Sequence, residues 1–179
     1  MKNKVLAFVM TLALTFQVGA GMLPSYAEVK DDAYPEVTLT KEIGSRTVTL
    51  EAPEGALPKG VKLEVKNVYR EDVFLAVEKK LEAEGKVLTH ATALDVTPVD
   101  KDGNEVQPRK EVTVTFKGTG LKEDDGSVEV YHVTDDAKEV TDMNAESATA
   151  DEQTFKTDHF SIYVPGGSCE NPNGDGTPF

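Results

Sequence analysis

The sequence predicts a mainly β protein, an antiparallel β-sandwich with one short helix across an end or edge of the sheets. Three observations predict it. Apolar residues alternate with Thr, Lys and Glu in short runs, as in residues 61–66 and 112–116, the period of strands that bury one face. Segments bearing Gly, Pro, Asn and Asp separate these runs. Only residues 70–84 repeat their apolar side chains at convincing helical spacing.

Residues 1–27 have the form of a secretory signal. Lys2 and Lys4 lead into an apolar run over residues 5–18, and Ser25-Tyr26-Ala27 provides a small-x-small cleavage site. The run is short, and polar at Thr11, Thr15 and Gln17, for a membrane span, and no later stretch is apolar enough. The expected mature chain is therefore secreted, extracellular or cell-wall associated, with no membrane insertion once the signal is removed. Taking 27 residues from 179 leaves 152, and losing Lys2 and Lys4 moves the formal net charge from −13 to −15. That charge argues against nucleic acid, whose phosphates require clustered Lys and Arg, and against an anionic membrane surface.

Residues 28–35 are expected to be a flexible N-terminus, and residues 36–165 the sandwich domain. Residues 37–40 and 46–51 read as strands around a turn at Gly44-Ser45. Two prolines and two glycines in EAPEGALPKG, residues 51–60, forbid a regular ladder there. Ala56 and Leu57 between them are placed to plug the end of the core. Val61, Leu63 and Val65 then face inward from the next strand.

In the helix, Phe74, Val77 and Leu81 form a narrow stripe with Val73 beside it. Glu71 and Asp72 sit at the positive end of its dipole and Lys79 and Lys80 toward the negative end, with Gly85 as the stop. Residues 86–99 read as one long strand with Leu94 and Val96 inward. The segment DKDGN, residues 100–104, looks like a calcium loop, but its glycine comes too early for that ligand pattern. A hairpin turn with Gly103-Asn104 at left-handed dihedrals is expected instead. Val112, Val114 and Phe116 mark the next strand, Val128 and Val130 the one after it, and an acidic turn over 121–126 joins them. Residues 135–151 are acidic and Ala-rich, with one weak strand near 138–143.

The chain then reaches TFKTDHFSIYV, residues 154–164, expected to be the closing strand. Phe160, Ile162 and Val164 share one face, and His159, Ser161 and Tyr163 the other. Phe155 is out of step with Phe160, so a bulge or tight turn is expected at Thr157-Asp158. Residues 166–179 read as a disordered tail or linker. Asn171, Asn173 and Asp175-Gly176 match only half of a calcium loop. The single cysteine, Cys169, lies in this tail. No internal disulfide is available, and the thiol is either incidental or intermolecular.

No metal-ligand spacing, phosphate-cradling loop or nucleophile elbow appears, so no cofactor and no metal are expected. His90, His132 and His159 fall on separate strands, where each reads as a surface or edge residue.

The block VTLEAPEGALPKGVKLEV (residues 48–65), followed downstream by DHFSIYV (residues 158–164), resembles the ZU-five type of β-sandwich found in ankyrins, netrin receptors and junction proteins. It is more similar to repeated modules in large secreted and cell-wall proteins of Gram-positive bacteria. Those modules carry a PEGA-type turn, here Pro53-Glu54-Gly55-Ala56, a DKDGNEVQP hairpin, here residues 100–108, and a closing F-x-x-x-HFS-x-Y strand, here residues 155–163. The likeness covers roughly residues 38–164. It implies a ZU-five or immunoglobulin-like sandwich, with another extracellular protein or further modules of a longer chain as partners. The chain holds one copy of the module and no cell-wall sorting motif with a hydrophobic tail, which leaves a small secreted relative and a truncated frame both open.

Three functions are carried forward. The first is a non-catalytic secreted or cell-surface module: a spacer, display or protein-binding unit. It makes Phe160 and Ile162 core residues, Ser161 an outward strand residue and His159 the cap of a turn. The second follows from the resemblance, since some ZU-five relatives cut the Phe-Ser bond of this triplet. Ser161 Oγ would attack the Phe160 carbonyl to give an ester that water opens, and His159 would move the proton. That chemistry needs strain and an oxyanion donor, and the sequence identifies no donor. The third is a secreted inhibitor presenting residues 53–59 as bait.

Overall fold

A computed structural model describes residues 33–172. The expected signal, residues 1–27, with residues 28–32 and the end of the expected tail, residues 173–179, lie outside the described residues.

Two antiparallel sheets face each other. Sheet A contains β1 (Val37–Ile43), β2 (Arg46–Ala52), β6 (Val112–Lys117), β10 (Glu152–Thr157) and β9 (Ser147–Ala148), in the order β1-β2-β6-β10-β9. Sheet B has the order β3-β5-β11-β7-β8, from β3 (Lys62–Asn67), β5 (Leu94–Val99), β11 (Ile162–Glu170), β7 (Ser127–Val133) and β8 (Val140–Asp142). A further strand, β4 (Lys86–Ala91), pairs with the far half of β11. The predicted mainly β sandwich is the observed fold, with one α-helix among the described residues.

The inter-sheet core follows the predicted alternation. Val48 and Leu50 of β2, Val114 and Phe116 of β6 and Phe155 of β10 meet Leu63, Val65, Leu94, Val96 and Val130 from sheet B. Phe116 and Phe155 lie 5.3 Å apart between ring centroids, and Phe155 and Tyr163 4.9 Å apart, within the range of favourable aromatic pairs. Ala56 and Leu57 are fully buried and close one end, as expected. Their loop is fastened from both sides. Tyr34 O accepts from Gly55 N at 2.8 Å, and Ala56 O from Arg109 N at 3.0 Å.

The helix α1 (Glu71–Ala83) forms where its apolar spacing predicts. It does not lie across an end or edge. Val73, Val77 and Leu81 are buried against Tyr131 and Val133 of β7 and Ile162 and Val164 of β11, so the helix covers the outer face of sheet B. Sheet B is thus apolar on both faces. Alternation tells which residues share a face and not which face is inner. That ambiguity reverses the expected orientation of the last strand: Tyr163 enters the inter-sheet core, while Ile162 and Val164 lie beneath the helix.

Residues 154–164 are not one strand. β10 ends in sheet A at Thr157, residues 158–161 cross over, and β11 begins in sheet B at Ile162. The phase slip between Phe155 and Phe160 is the change of sheet, and both rings reach the same core. β11 also runs to Glu170, so residues 166–170 are strand and not tail. The glycines there are sites of close approach. A Cβ on Gly167 would stand 2.7 Å from Asp125 O, a contact only glycine avoids.

The expected long strand over residues 86–99 is broken at Thr92-Ala93 into β4 and β5, which pair with successive halves of β11. In the 100–104 turn Gly103 alone takes a positive φ, at 84°, and Asn104 does not.

Candidate functional site

The crossover gathers the predicted residues. Thr157, the last residue of β10, starts a tight side-chain turn in which its Oγ1 donates to His159 O at 2.7 Å and accepts from His159 N at 3.3 Å. The buried Tyr163 hydroxyl lies 2.9 Å from Thr157 Oγ1 and also reaches His159 O. Burial pushes the Tyr163 phenol well above its ordinary range. No residue of the crossover has a positive φ, so the predicted kink stores no left-handed backbone strain.

His159 points its Nδ1 at Asp158 Oδ1, 2.7 Å away, and this bond holds the Asp158 carboxyl below its usual range. On its other side His159 Nε2 lies 3.4 Å from His132 Nδ1, with the rings edge to face at 4.3 Å. The sequence placed these histidines on separate elements and read each as a surface or edge residue. His132 is instead 5% exposed, and burial, then the neighbouring His159, pushes its pKa down to about 4. Its Nε2 is buried with no hydrogen-bond partner. His90 is exposed on β4 and is not part of this pair.

Phe160 is buried, as expected. Its backbone is held by Gln107, which accepts from Phe160 N at Oε1 (2.7 Å) and donates from Nε2 to Phe160 O (3.1 Å). The sequence does not reveal Gln107, because a loop amide bonding to distant backbone leaves no periodic signal. Its presence inside the DKDGNEVQP hairpin was the only pointer. Ser161 Oγ donates to Val133 O at 2.8 Å, and Ser161 O accepts from Val96 N at 3.1 Å. Among the described residues no hydrogen bond joins Ser161 to His159. The triplet therefore has a donor on the carbonyl that attack would turn into an oxyanion, but its nucleophile is bonded to strand backbone rather than to a base.

The remaining candidates have structural partners. Asp100 Oδ1 accepts from the backbone N–H groups of Asp102 (2.8 Å) and Asn104 (2.9 Å), so this carboxylate closes its own turn. Among the described residues no group of three or more His, Cys, Asp or Glu is arranged to hold a metal ion. Cys169 is exposed and lies in β11, not in a loose tail. The 53–59 loop is pinned further by Lys110, whose Nζ donates to Glu54 O at 2.7 Å.

No protein-family model matches the chain, and no curated protein matches it.

Proposed function

We propose that this chain is a non-catalytic secreted or cell-surface module, a ZU-five-like spacer or display unit of the Gram-positive type, which meets further modules or another extracellular protein. The observation that carries this reading is where the backbone enters and leaves. β1 starts at Val37, paired with Ala52 beside the 53–60 loop. β11 ends at Glu170, paired with Lys86, and Asn171 N donates to Gly85 O at 2.8 Å. Lys86 begins the β4–β5 line, whose far end, Val99, faces Lys62 next to the 53–60 loop. Entry and exit thus lie at opposite ends of the sandwich, as an in-line spacer requires. Tension between them loads the β11 ladders along the strand, so that many perpendicular hydrogen bonds resist together.

Expression in a Gram-positive host tests this reading. The expected outcome is protein in the culture fluid or wall fraction with its N-terminus at Glu28. Retention in the cytosol with residues 1–27 attached would overturn it.

Self-cleavage is the second reading, and one observation favours it. The Gln107 amide already donates to the Phe160 carbonyl, where an oxyanion donor is needed. It would require Ser161 to leave Val133 O and pass its proton to His159, and the chain to separate at Phe160-Ser161 under denaturing conditions.

A further inference from the structure

His132 is a buried titratable side chain with no carboxylate bonded to it among the described residues. Four elements face it. The crossover brings His159, with Asp158 on that ring's far nitrogen; β11 brings the Tyr163 ring, 5.4 Å away; β8 places the neutral Thr141 opposite it in the ladder. The segment after β7 brings Asp135, whose negative charge weakly favours a proton on His132. No carboxylate is hydrogen-bonded to His132 among the described residues, and its Nε2 is an orphan.

The proton count of the pair is tight. With the His159 Nδ1–H on Asp158 and both rings neutral, the 3.4 Å line between His159 Nε2 and His132 Nδ1 can hold one proton, and His132 Nε2 is the remaining free site. When both rings carry a full set of protons, N–H meets N–H, two positive charges face each other and the contact becomes repulsive. His132 is fixed in a strand inside sheet B, whereas His159 is half exposed on a four-residue crossover. His159 is the partner that can move.

We propose that the His132–His159 contact is an acid-released latch: protonation of both rings drives His159 off β7 and loosens residues 158–159 while the two sheets stay assembled. Gln107, with both bonds on Phe160, and the packed Tyr163 confine the release to the crossover. The sign follows from burial. His132 is held down at about 4 when latched, against about 6.5 for a free imidazole. The released state therefore binds protons more readily, and the latch is closed above the ordinary histidine range and weakens as pH falls through it toward 4. The latch does not depend on the proposed function.

Hydrogen exchange read by mass spectrometry on the full mature chain, at pH 7 and at about pH 4.5 and corrected for intrinsic exchange chemistry, tests it. Peptides covering residues 157–162 are expected to lose about tenfold or more of their protection at the lower pH, while β2 and β6 keep theirs. His159→Gln, at a half-exposed ring, is expected to fold and to abolish that pH response. Equal protection at both pH values, a uniform loss that includes β2 and β6, or an unchanged response in His159→Gln would each overturn the latch. An independent readout is the NMR titration of His132 in the wild-type protein. A midpoint well below that of a free imidazole supports the latch, and one at or above it overturns it.

Discussion

Gln107 grips the peptide of Phe160 with both ends of its side-chain amide, as a neighbouring strand would, from a loop 53 residues away in sequence. Two bonds of ordinary length at a partly solvated site contribute about 1–2 kcal/mol together. Gln107→Leu removes both and leaves the Phe160 N–H and C=O without this partner. Chemical denaturation of the purified protein is expected to show a loss of that size with an unchanged slope. Gln107→Glu keeps the acceptor for Phe160 N but sets a carboxylate oxygen against the Phe160 carbonyl, and is expected not to recover the loss at neutral pH.

The placement of the helix makes a paired prediction. Leu81 is fully buried under the helix, whereas Leu75 on the same helix is 52% exposed. Leu81→Ala opens a cavity against sheet B and is expected to cost about 2–5 kcal/mol. Leu75→Ala should stay within about 0.5 kcal/mol. Comparable costs at the two positions, measured by thermal or urea unfolding, would remove the helix from the face of sheet B.

Gly126 has φ near 91°, and a Cβ there would sit 2.2 Å from Ser168 O in β11. Gly44 also has positive φ, at 63°, but nothing lies within 4 Å of its Cβ position. Gly44→Ala therefore meets only the backbone penalty, about 1–2 kcal/mol. Gly126→Ala must also displace the last strand, and is expected to lower the melting temperature much further or to yield no folded protein. This contrast tests whether residues 166–170 are strand.

The buried tyrosines set the alkaline limit. Burial raises the phenols of both Tyr131 and Tyr163 in the folded chain, the first helped by its bond to Glu129. A group with a raised folded pKa lends stability below its unfolded pKa, near 10, and that stability is lost as pH rises beyond it. Phenolate absorbance should show Tyr131 and Tyr163 ionising together with unfolding rather than ahead of it. Tyr163→Phe, which retains the ring, should make unfolding less steep with pH above 10.

Strand phase was legible in the sequence wherever one face meets solvent. Val114 and Phe116 were placed correctly because threonines alternate with them. Phase failed for Ile162, Tyr163 and Val164, since a helix on the outer face makes both sides apolar. The slip between Phe155 and Phe160 was visible, but alternation within one strand carries no record of a change of sheet. Gly166-Gly167 reads as linker by composition, whereas the close approach of Asp125 that calls for glycine is a tertiary fact. The same holds at the candidate site. The triplet was conspicuous as a motif, but the facing of His132 and His159 and the reach of Gln107 depend on which loops share an end of the sandwich.

Ser161 Oγ donates to Val133 O, and the proposed function makes that bond its role, with the Phe160-Ser161 peptide left intact. The intact mass of the purified protein under denaturing conditions, beside that of Ser161→Ala, tests it most directly. One uncut species in both samples is the expected result. A wild-type chain that divides between Phe160 and Ser161 while the alanine variant stays whole would contradict it.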